Sequence, residues 1–179
     1  MTTQQILLII IAVVQITLIL RFHLEWSKVD AFMQPAATIR KLTNPLVLPV
    51  KKQLPYAVKP WAAIIIAIVL TLLAFFLFYS DSVMVLVVGS VLTLCKNWML
   101  FLKYGIFLYV IGSWLQMREF ARANYFLDQI FAPVLRPIRR IIPPLGGLDF
   151  SAIVLLIGLT IAQAQLNMLG AFLLSRLGQ

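Results

Sequence analysis

The chain has 179 residues, of which 62% are hydrophobic and only 12% are charged, and its mean hydropathy is +0.98. A soluble domain is about half apolar and about a quarter charged, so these values exclude a soluble globular domain and predict a protein embedded in lipid. The net charge of +9 is attributed to membrane topology and an anionic lipid surface, and not to nucleic-acid binding.

Four apolar segments approach the ~20 residues that a helix needs to cross a bilayer. The first, at about residues 5–25, is interpreted as a retained membrane helix, because a signal peptide needs basic residues ahead of its apolar run and none precedes this one. The second covers residues 61–79 and the fourth residues 150–174. The third is placed at residues 92–114, and residues 83–91 are expected to be an outer extension of it or a separate short segment.

Basic residues are concentrated in the two segments that follow the first and third predicted spans. Residues 26–59 and 116–148 together hold 11 of the 15 Lys and Arg residues, whereas the segment before the first span and the loop after the second hold none. Basic residues collect in cytoplasmic loops. We therefore expect both basic segments in the cytoplasm and both chain termini outside it.

The two halves of the chain, residues 1–88 and 89–179, resemble each other at an ungapped offset of 88 residues. Three prolines and two basic positions coincide, and so do two tryptophans. Each half consists of a helix entering the cytoplasm, a basic segment and a returning helix, so the halves are predicted to be parallel repeats. The matched residues are Pro45, Pro49, Pro55, Lys51, Lys52 and Trp26 with Pro133, Pro137, Pro143, Arg139, Arg140 and Trp114.

Apolar residues of the second basic segment recur at helical spacing from Leu127 to Ile142, with arginines on the opposite side. This pattern is typical of an amphipathic helix lying in the headgroup layer; a solvated basic loop that only sets topology is the alternative. Prolines forbid one continuous helix, so we expect two short pieces joined at Pro133 or Pro137. The residues expected to bind anionic lipid or a membrane partner are Lys51, Lys52, Arg136, Arg139 and Arg140.

The predicted fold class is an all-α polytopic membrane protein. Its four transmembrane helices form two parallel hairpin repeats, and each repeat carries a cytoplasmic amphipathic or interfacial helical segment. The partners predicted for this fold are membrane lipid, and a membrane protein or a second copy of the chain.

Polar side chains inside the spans form a second group of candidates. Lys103 lies 11 residues before Trp114, which places it about 16 Å into the bilayer, where a charge is costly. We interpret this group as a polar layer that either bonds the helices together or lines a permeation path. The residues of this layer are Gln15, Lys103, Thr160 and Gln163, and Asn167 shares one helix face with Thr160 and Gln163.

Single residues near the interfaces receive structural interpretations. Arg21 is expected to pair with Glu25 one turn later or to extend to the headgroups. No cluster of histidines or carboxylates surrounds His23 at metal-ligand spacing, so His23 is interpreted as a packing residue at the membrane interface and not as a metal ligand. Asp149 or Ser151 is expected to cap the fourth helix.

No combination of residues in the sequence indicates catalysis. The six acidic residues lie at or outside the predicted interfaces, and Cys95 is the single cysteine. No Ser-His-Asp set and no cysteine nucleophile with a base can be assembled. We therefore expect no enzyme active site, no metal site and no cofactor.

The stretch from Pro133 to Ser151 resembles the signature of the YggT family of bacterial membrane proteins, called YlmG in other bacteria and in plastids. The first half departs from the pattern, with Lys51 and Lys52 in place of two arginines, and Tyr109 in the second half stands where Arg21 stands in the first. The residues that carry the resemblance are Arg21, Trp26, Trp114, Pro133, Pro137, Pro143, Gly146, Gly147 and Asp149.

The resemblance implies a multi-pass protein of the bacterial inner membrane. It links the chain to osmotic-stress tolerance, cell division or envelope organisation, and to assembly roles in plastids. Two functional hypotheses follow: a non-enzymatic scaffold or assembly factor acting through its basic segments, or a small channel or transporter subunit with Lys103 in its polar layer.

Overall fold

The computed structural model describes residues 2–78, 82–115, 121–142 and 149–177, and every regular element in them is helical. Four helices are long and apolar enough to cross a membrane. This confirms the prediction of an all-α membrane protein with four spans. The residues of the sequence analysis that lie outside the described ranges are Tyr79, Pro143, Gly146 and Gly147.

Three of the spans begin and end close to their predicted limits. Helix α1 covers Thr3–Trp26, α3 covers Ala62–Phe78 after a 3-10 turn at Lys59–Trp61, and α6 covers Phe150–Leu177. The start of α1 is fixed by a capping box, in which the Thr2 hydroxyl accepts the Gln5 N–H at 3.3 Å and the Gln5 side chain accepts the Thr2 N–H at 2.9 Å. Only a helix satisfies all backbone groups of such an apolar segment internally.

Helix α4 covers Val83–Leu115 and has 33 residues, which gives it a length of about 50 Å. Residues 83–91 continue the third span in the same helix, so the alternative of a separate short segment is wrong. Lys96 and Lys103 are compatible with this continuity because lysine has a high helix propensity. Asn97 directs its amide to α1 and does not compete for its own backbone.

Two further helices carry the basic segments. Helix α2 covers Ala36–Gln53 and contains Pro45 and Pro49, and helix α5 covers Ala121–Arg139 and contains Pro133 and Pro137. The prediction that the prolines divide the second segment into two pieces is therefore wrong. A proline removes one intrahelical hydrogen bond but leaves the following residues free to continue the helix.

The prolines of α5 bend the helix instead of ending it. Asp128 and Arg139 would lie about 16 Å apart along a straight helix, a gap that their two side chains do not span. Their ion pair nevertheless measures 2.8 Å between Arg139 NH2 and Asp128 Oδ1. At about 100° per residue, Pro133 and Pro137 fall on the side of the helix opposite to this pair, where missing hydrogen bonds allow the backbone to open.

The spans pack as two antiparallel pairs joined along α4. Helix α1 packs most extensively against α3, and α4 against α6, while α4 also contacts α1 and α3. One apolar core joins α1, α2, α3 and α4, and the other joins α4, α5 and α6 with the end of α1 and the start of α2. The outer faces carry exposed apolar side chains such as Ile10, Phe76 and Ile161, as expected for surfaces that contact lipid.

Helix α5 is held against α4 by a close approach at Gly105. Phe131 is buried to 1% exposure, and a Cβ atom added at Gly105 would lie only 2.7 Å from its Cε2 atom. Because Gly105 has no side chain, the Phe131 ring can occupy the space next to its backbone. Phe131 also contacts Phe101 of α4, with ring centroids 5.5 Å apart and the ring planes tilted by 45°.

The helix limits can be compared across the 88-residue offset. Trp26, the last residue of α1, corresponds to Trp114, which is one residue before the end of α4. Ala62, the first residue of α3, corresponds to Phe150, the first residue of α6. The duplication itself, with halves 1–88 and 89–179, stays a prediction from the sequence.

Candidate functional site

The amphipathic sequence of α5 places its apolar side chains inside and leaves several arginines outside. Ile130, Phe131 and Leu135 are buried against α4 and α6, whereas Arg136 and Arg140 are exposed. Helix α5 therefore packs its apolar face on protein and presents a basic face outward.

Arg139 is the exception among the arginines of this segment, because it turns inward to two carboxylates. Its NH2 lies 2.8 Å from Asp128 Oδ1 and 2.6 Å from Asp149 Oδ2, and its Nε donates to the same Asp149 oxygen at 2.8 Å. Its NH2 also donates to the Tyr109 hydroxyl at 2.8 Å, and that hydroxyl donates to Asp149 at 3.2 Å. These contacts connect α4, α5 and the start of α6.

The electrostatics of this cluster favour its charged form. Burial alone would raise the pKa of Asp149, but hydrogen bonds from Ser151 and Arg139, together with the Arg139 charge, lower it. Burial alone would lower the pKa of Arg139, but its hydrogen bonds to Asp128 and Asp149 raise it. The cluster is therefore an ion pair at every pH at which these carboxylates are ionised.

Asp149 also caps α6, as one of the two predicted alternatives. Its Oδ1 accepts the Ser151 N–H at 3.1 Å and the Ser151 hydroxyl, and its backbone carbonyl accepts the Ala152 N–H at 3.2 Å. A carboxylate at this position satisfies free N–H groups and complements the positive end of the helix dipole. One residue thus starts the fourth span and pairs with α5.

The first half contains a related ion-pair cluster at the end of α1. Arg21 NH2 lies 3.0 Å from Glu25 Oε1, which confirms the predicted pair one turn apart. Lys51 of α2 reaches the other oxygen of the same carboxylate, with Nζ 2.6 Å from Oε2. Lys51 and Arg139 occupy corresponding positions of the two halves. In each half, the basic side chain at this position joins the basic segment to the bundle through an ion pair.

The structure thus divides the five basic residues that were expected to bind lipid or a partner. Lys51 and Arg139 have carboxylate partners within the protein. Lys52, Arg136 and Arg140 are exposed, so these three form the outward basic face.

Gln15 is fully buried and bonded to two residues that the sequence analysis did not select. Its Nε2 donates to the Thr71 hydroxyl at 2.6 Å, and its Oε1 accepts the amide of Asn97. The Thr71 hydroxyl donates in turn to the Ala67 carbonyl at 2.8 Å. This chain joins α1, α3 and α4 inside the first core.

Lys103 lies at a different place from Gln15, between α4 and α6. Its Nζ is 3.5 Å from Gln163 Oε1, and both side chains are partly buried. Thr160 and Asn167 are exposed, and the Thr160 hydroxyl donates to the Leu156 carbonyl of its own helix. The structure therefore brings Lys103 and Gln163 together and places Gln15 in a separate bonded cluster.

Aromatic residues surround the C-terminal end of α1. His23 is fully buried, and its Nε2 accepts the indole N–H of Trp98 at 3.0 Å. Trp26 and Trp114 are about half exposed, as expected for side chains at an interface. Among the described residues, no group of three or more His, Cys, Asp or Glu side chains could hold a metal ion.

Two partners of Arg139 were missed by the sequence analysis, although both carry a signal. Asp128 lies 11 residues before Arg139, which is about three helical turns and therefore the same face. Tyr109 occupies the position of Arg21 in the other half. Asn97 and Thr71 carry no such signal, because only the packing of three separate helices brings them to Gln15.

Comparison with known proteins supports the resemblance of the sequence. The family model described as CCB3/YggT matches residues 88–170. A protein of Haemophilus influenzae is 32% identical over 157 residues, covering 87% of this chain and 86% of the relative. YggT of Escherichia coli strain K12, described as an uncharacterized protein, is 28% identical over 152 residues, covering 83% and 80%.

A protein from the proC 3′ region of Vibrio alginolyticus is 32% identical over 153 residues, covering 80% of this chain and 82% of the relative. No solved structure matches the chain. The matched region of the family model includes Tyr109, Asp128, Arg139 and Asp149, the residues of the cluster described above. By the family model that matches residues 88–170 and by these relatives, the chain belongs to the CCB3/YggT family of proteins.

Proposed function

We propose that this protein is a non-enzymatic scaffold or assembly factor of the bacterial inner membrane that binds anionic lipid through the outward faces of α2 and α5. In this proposal both helices lie on the cytoplasmic side, and both chain termini lie outside the cytoplasm. A membrane-protein partner or a second copy of the chain would contact the same faces. Such a role fits the envelope organisation, cell division or osmotic-stress response to which the family resemblance pointed.

The observation that carries the proposal is the mixed character of these outward faces. Lys52, Arg136 and Arg140 are exposed, and α2 also exposes apolar side chains, among them Leu42 and Leu46. A face that combines basic and apolar side chains suits the headgroup layer, where the first contact phosphate and the second contact acyl chains. Each basic residue near such a surface contributes about 1 kcal/mol.

Reversing the exposed charges is expected to abolish the preference for anionic lipid. In vesicles of phosphatidylcholine and phosphatidylglycerol, spin-labelled phosphatidylglycerol should associate with the wild-type protein several-fold more strongly than spin-labelled phosphatidylcholine. With Lys52→Glu, Arg136→Glu and Arg140→Glu combined, the ratio of the two association constants should fall to about one, because each residue contributes about 1 kcal/mol. Electron paramagnetic resonance of the boundary lipid measures this ratio.

The matched control is the variant with Arg136→Lys and Arg140→Lys, which keeps both charges and should keep the preference. The preference of the wild type should also weaken at high salt, because exposed charges are screened. A charge-reversed variant with unaltered lipid preference would refute the lipid-binding role.

A small channel or transporter subunit is the second candidate function, and it rests on Lys103 beside Gln163 inside the spans. We expect this pair to stabilise helix packing, so ion and osmolyte flux through wild-type proteoliposomes should equal that of empty liposomes. Lys103→Leu should lower the stability of the protein without changing flux. Robust flux in the wild type that disappears in Lys103→Leu would overturn the scaffold proposal.

A further inference from the structure

Three cationic side chains converge on the last turn of α1. Arg21 and Lys51 both contact Glu25, at 3.0 and 2.6 Å. Arg40 of α2 donates through NH2 to the carbonyls of Val29 at 3.0 Å and Leu24 at 3.5 Å, and its charge is close enough to act on the Arg21 guanidinium. The cluster therefore holds three positive charges and one carboxylate.

Several donors of this cluster are buried without an acceptor. Arg21 is only 4% exposed, and its Nε and NH1 have no hydrogen-bond partner, nor does Nε of Arg40. A buried guanidinium that lacks acceptors costs free energy unless an anion or another acceptor reaches it. Lys51 keeps 30% of its side chain exposed and Arg40 is partly exposed, so these two members of the cluster reach the surface on the α2 side while Arg21 lies beneath them.

The corresponding positions of the second half have the opposite charge balance. Arg40 corresponds to Asp128 and Lys51 to Arg139. In α5 these two positions form an ion pair within the protein at 2.8 Å. In α2 both positions are cationic, so the first half lacks the anion with which the second half neutralises itself.

We propose that Arg21, Arg40 and Lys51 form a binding site for a phosphate group. Guanidinium groups match phosphate oxygens through paired, charge-assisted hydrogen bonds, and an ammonium group adds a third donor. The phosphate supplies the negative charge that Asp128 supplies in the second half. The site deepens the proposed function and rests on it for the lipid source, since the phosphate belongs either to an anionic phospholipid headgroup or to free phosphate.

Ligand-induced stabilisation of the full chain tests the site. The protein in phosphatidylcholine nanodiscs receives either rising fractions of phosphatidylglycerol or rising inorganic phosphate at constant ionic strength. Binding to the native state raises the midpoint of thermal unfolding, so at least one ligand should give a saturable rise. A response to the lipid alone assigns the headgroup as the source, and a response to inorganic phosphate assigns the free anion.

Arg40→Gln and, separately, Lys51→Gln should each raise the half-saturating ligand concentration about tenfold, because each removes one charge-assisted contact. The matched control is Arg176→Gln, which removes the same charge from an exposed residue in the last turn of α6, away from the outward faces of α2 and α5, and should respond like the wild type. Two variants are used because Arg40 also bonds the end of α1. No saturable response in the wild type, or equal responses in all three variants, would overturn the site.

The outcome is separable from that of the proposed function. If the wild-type protein shows no saturable rise in its unfolding midpoint but keeps its preference for anionic boundary lipid, the phosphate site is refuted. The lipid-binding faces of α2 and α5 are then unaffected. The reverse result, a saturable rise without boundary-lipid preference, would support the site and refute those faces.

Discussion

Arg139→Leu is expected to lower the free energy of unfolding by about 3 kcal/mol, because removing one partner of a buried ion pair leaves the others without compensation. Asp149 would keep a carboxylate of which only 6% is exposed, and Asp128 would lose its contact across the bend of α5. Chemical unfolding in mixed micelles measures the change. The effect should exceed that of any exposed arginine, since Arg139 connects α4, α5 and the start of α6.

The matched control is Arg136→Leu, which removes an exposed arginine from the same helix and should change stability by no more than about 0.5 kcal/mol. A pH series gives a second readout. Because the pKa of Asp149 is lowered in the folded protein, the stability from this carboxylate is present above its unfolded pKa of about 3.9 and is lost as pH falls through its folded pKa. Equal stability of the two leucine variants would contradict the role of the ion pair.

Gly105→Ala is expected to destabilise the protein by about 2 kcal/mol, because the new methyl group would overlap the buried ring of Phe131. In a Phe131→Leu background the same substitution should cost much less, since the smaller side chain leaves room. The four unfolding free energies form a double-mutant cycle, and their coupling should be at least about 1 kcal/mol.

Gly158→Ala is the control for the backbone effect of replacing a helical glycine. A Cβ atom at Gly158 meets nothing within 4 Å, so this change should be neutral or stabilising by up to about 1 kcal/mol. If Gly105→Ala proved as harmless as Gly158→Ala, the close approach of α5 to α4 at this point would be contradicted.

The four spans could be predicted because lipid imposes a local rule on sequence: about 20 apolar residues in one helix. The helical spacing of apolar residues in α5 also predicts which side chains share a face, and Ile130 and Phe131 of that face are buried against α4 and α6. A position of this helix in the headgroup layer stays a prediction. Ile141 belongs to the same periodic pattern but is 80% exposed, because α5 ends at Arg139 and the backbone then leaves the helical direction.

The effect of the prolines could not be predicted from helix propensity alone. Propensity counts the lost hydrogen bond at Pro133 or Pro137 but not the tertiary contacts that hold the helix on both sides. In α5 the burial of Leu135 and the ion pair of Arg139 hold the last turns in place. A break was expected, and a helix that continues through both prolines is found.

The candidate site could be predicted in part. The basic residues of α2 and α5 were identified by their charge, but charge alone does not reveal that Lys51 and Arg139 pair inward while Lys52 and Arg140 face outward. That distinction depends on carboxylates contributed by other segments, Glu25 of α1 and Asp149 at the start of α6. Gln15 was identified as an intramembrane polar residue, and its partners depend on the packing of α1, α3 and α4.

The length of α4 makes the protein responsive to the thickness of the bilayer. A typical hydrocarbon layer is about 30 Å thick, so a helix of 33 residues must tilt, or project beyond the layer, to a degree that the surrounding lipid sets. Helix α5 is expected to move with α4, because the Phe131 ring packs against Gly105 and Arg139 donates a hydrogen bond to Tyr109. In the lipid-binding role proposed above, a thinner or thicker membrane is therefore expected to change the depth at which the basic face of α5 meets the phosphate layer.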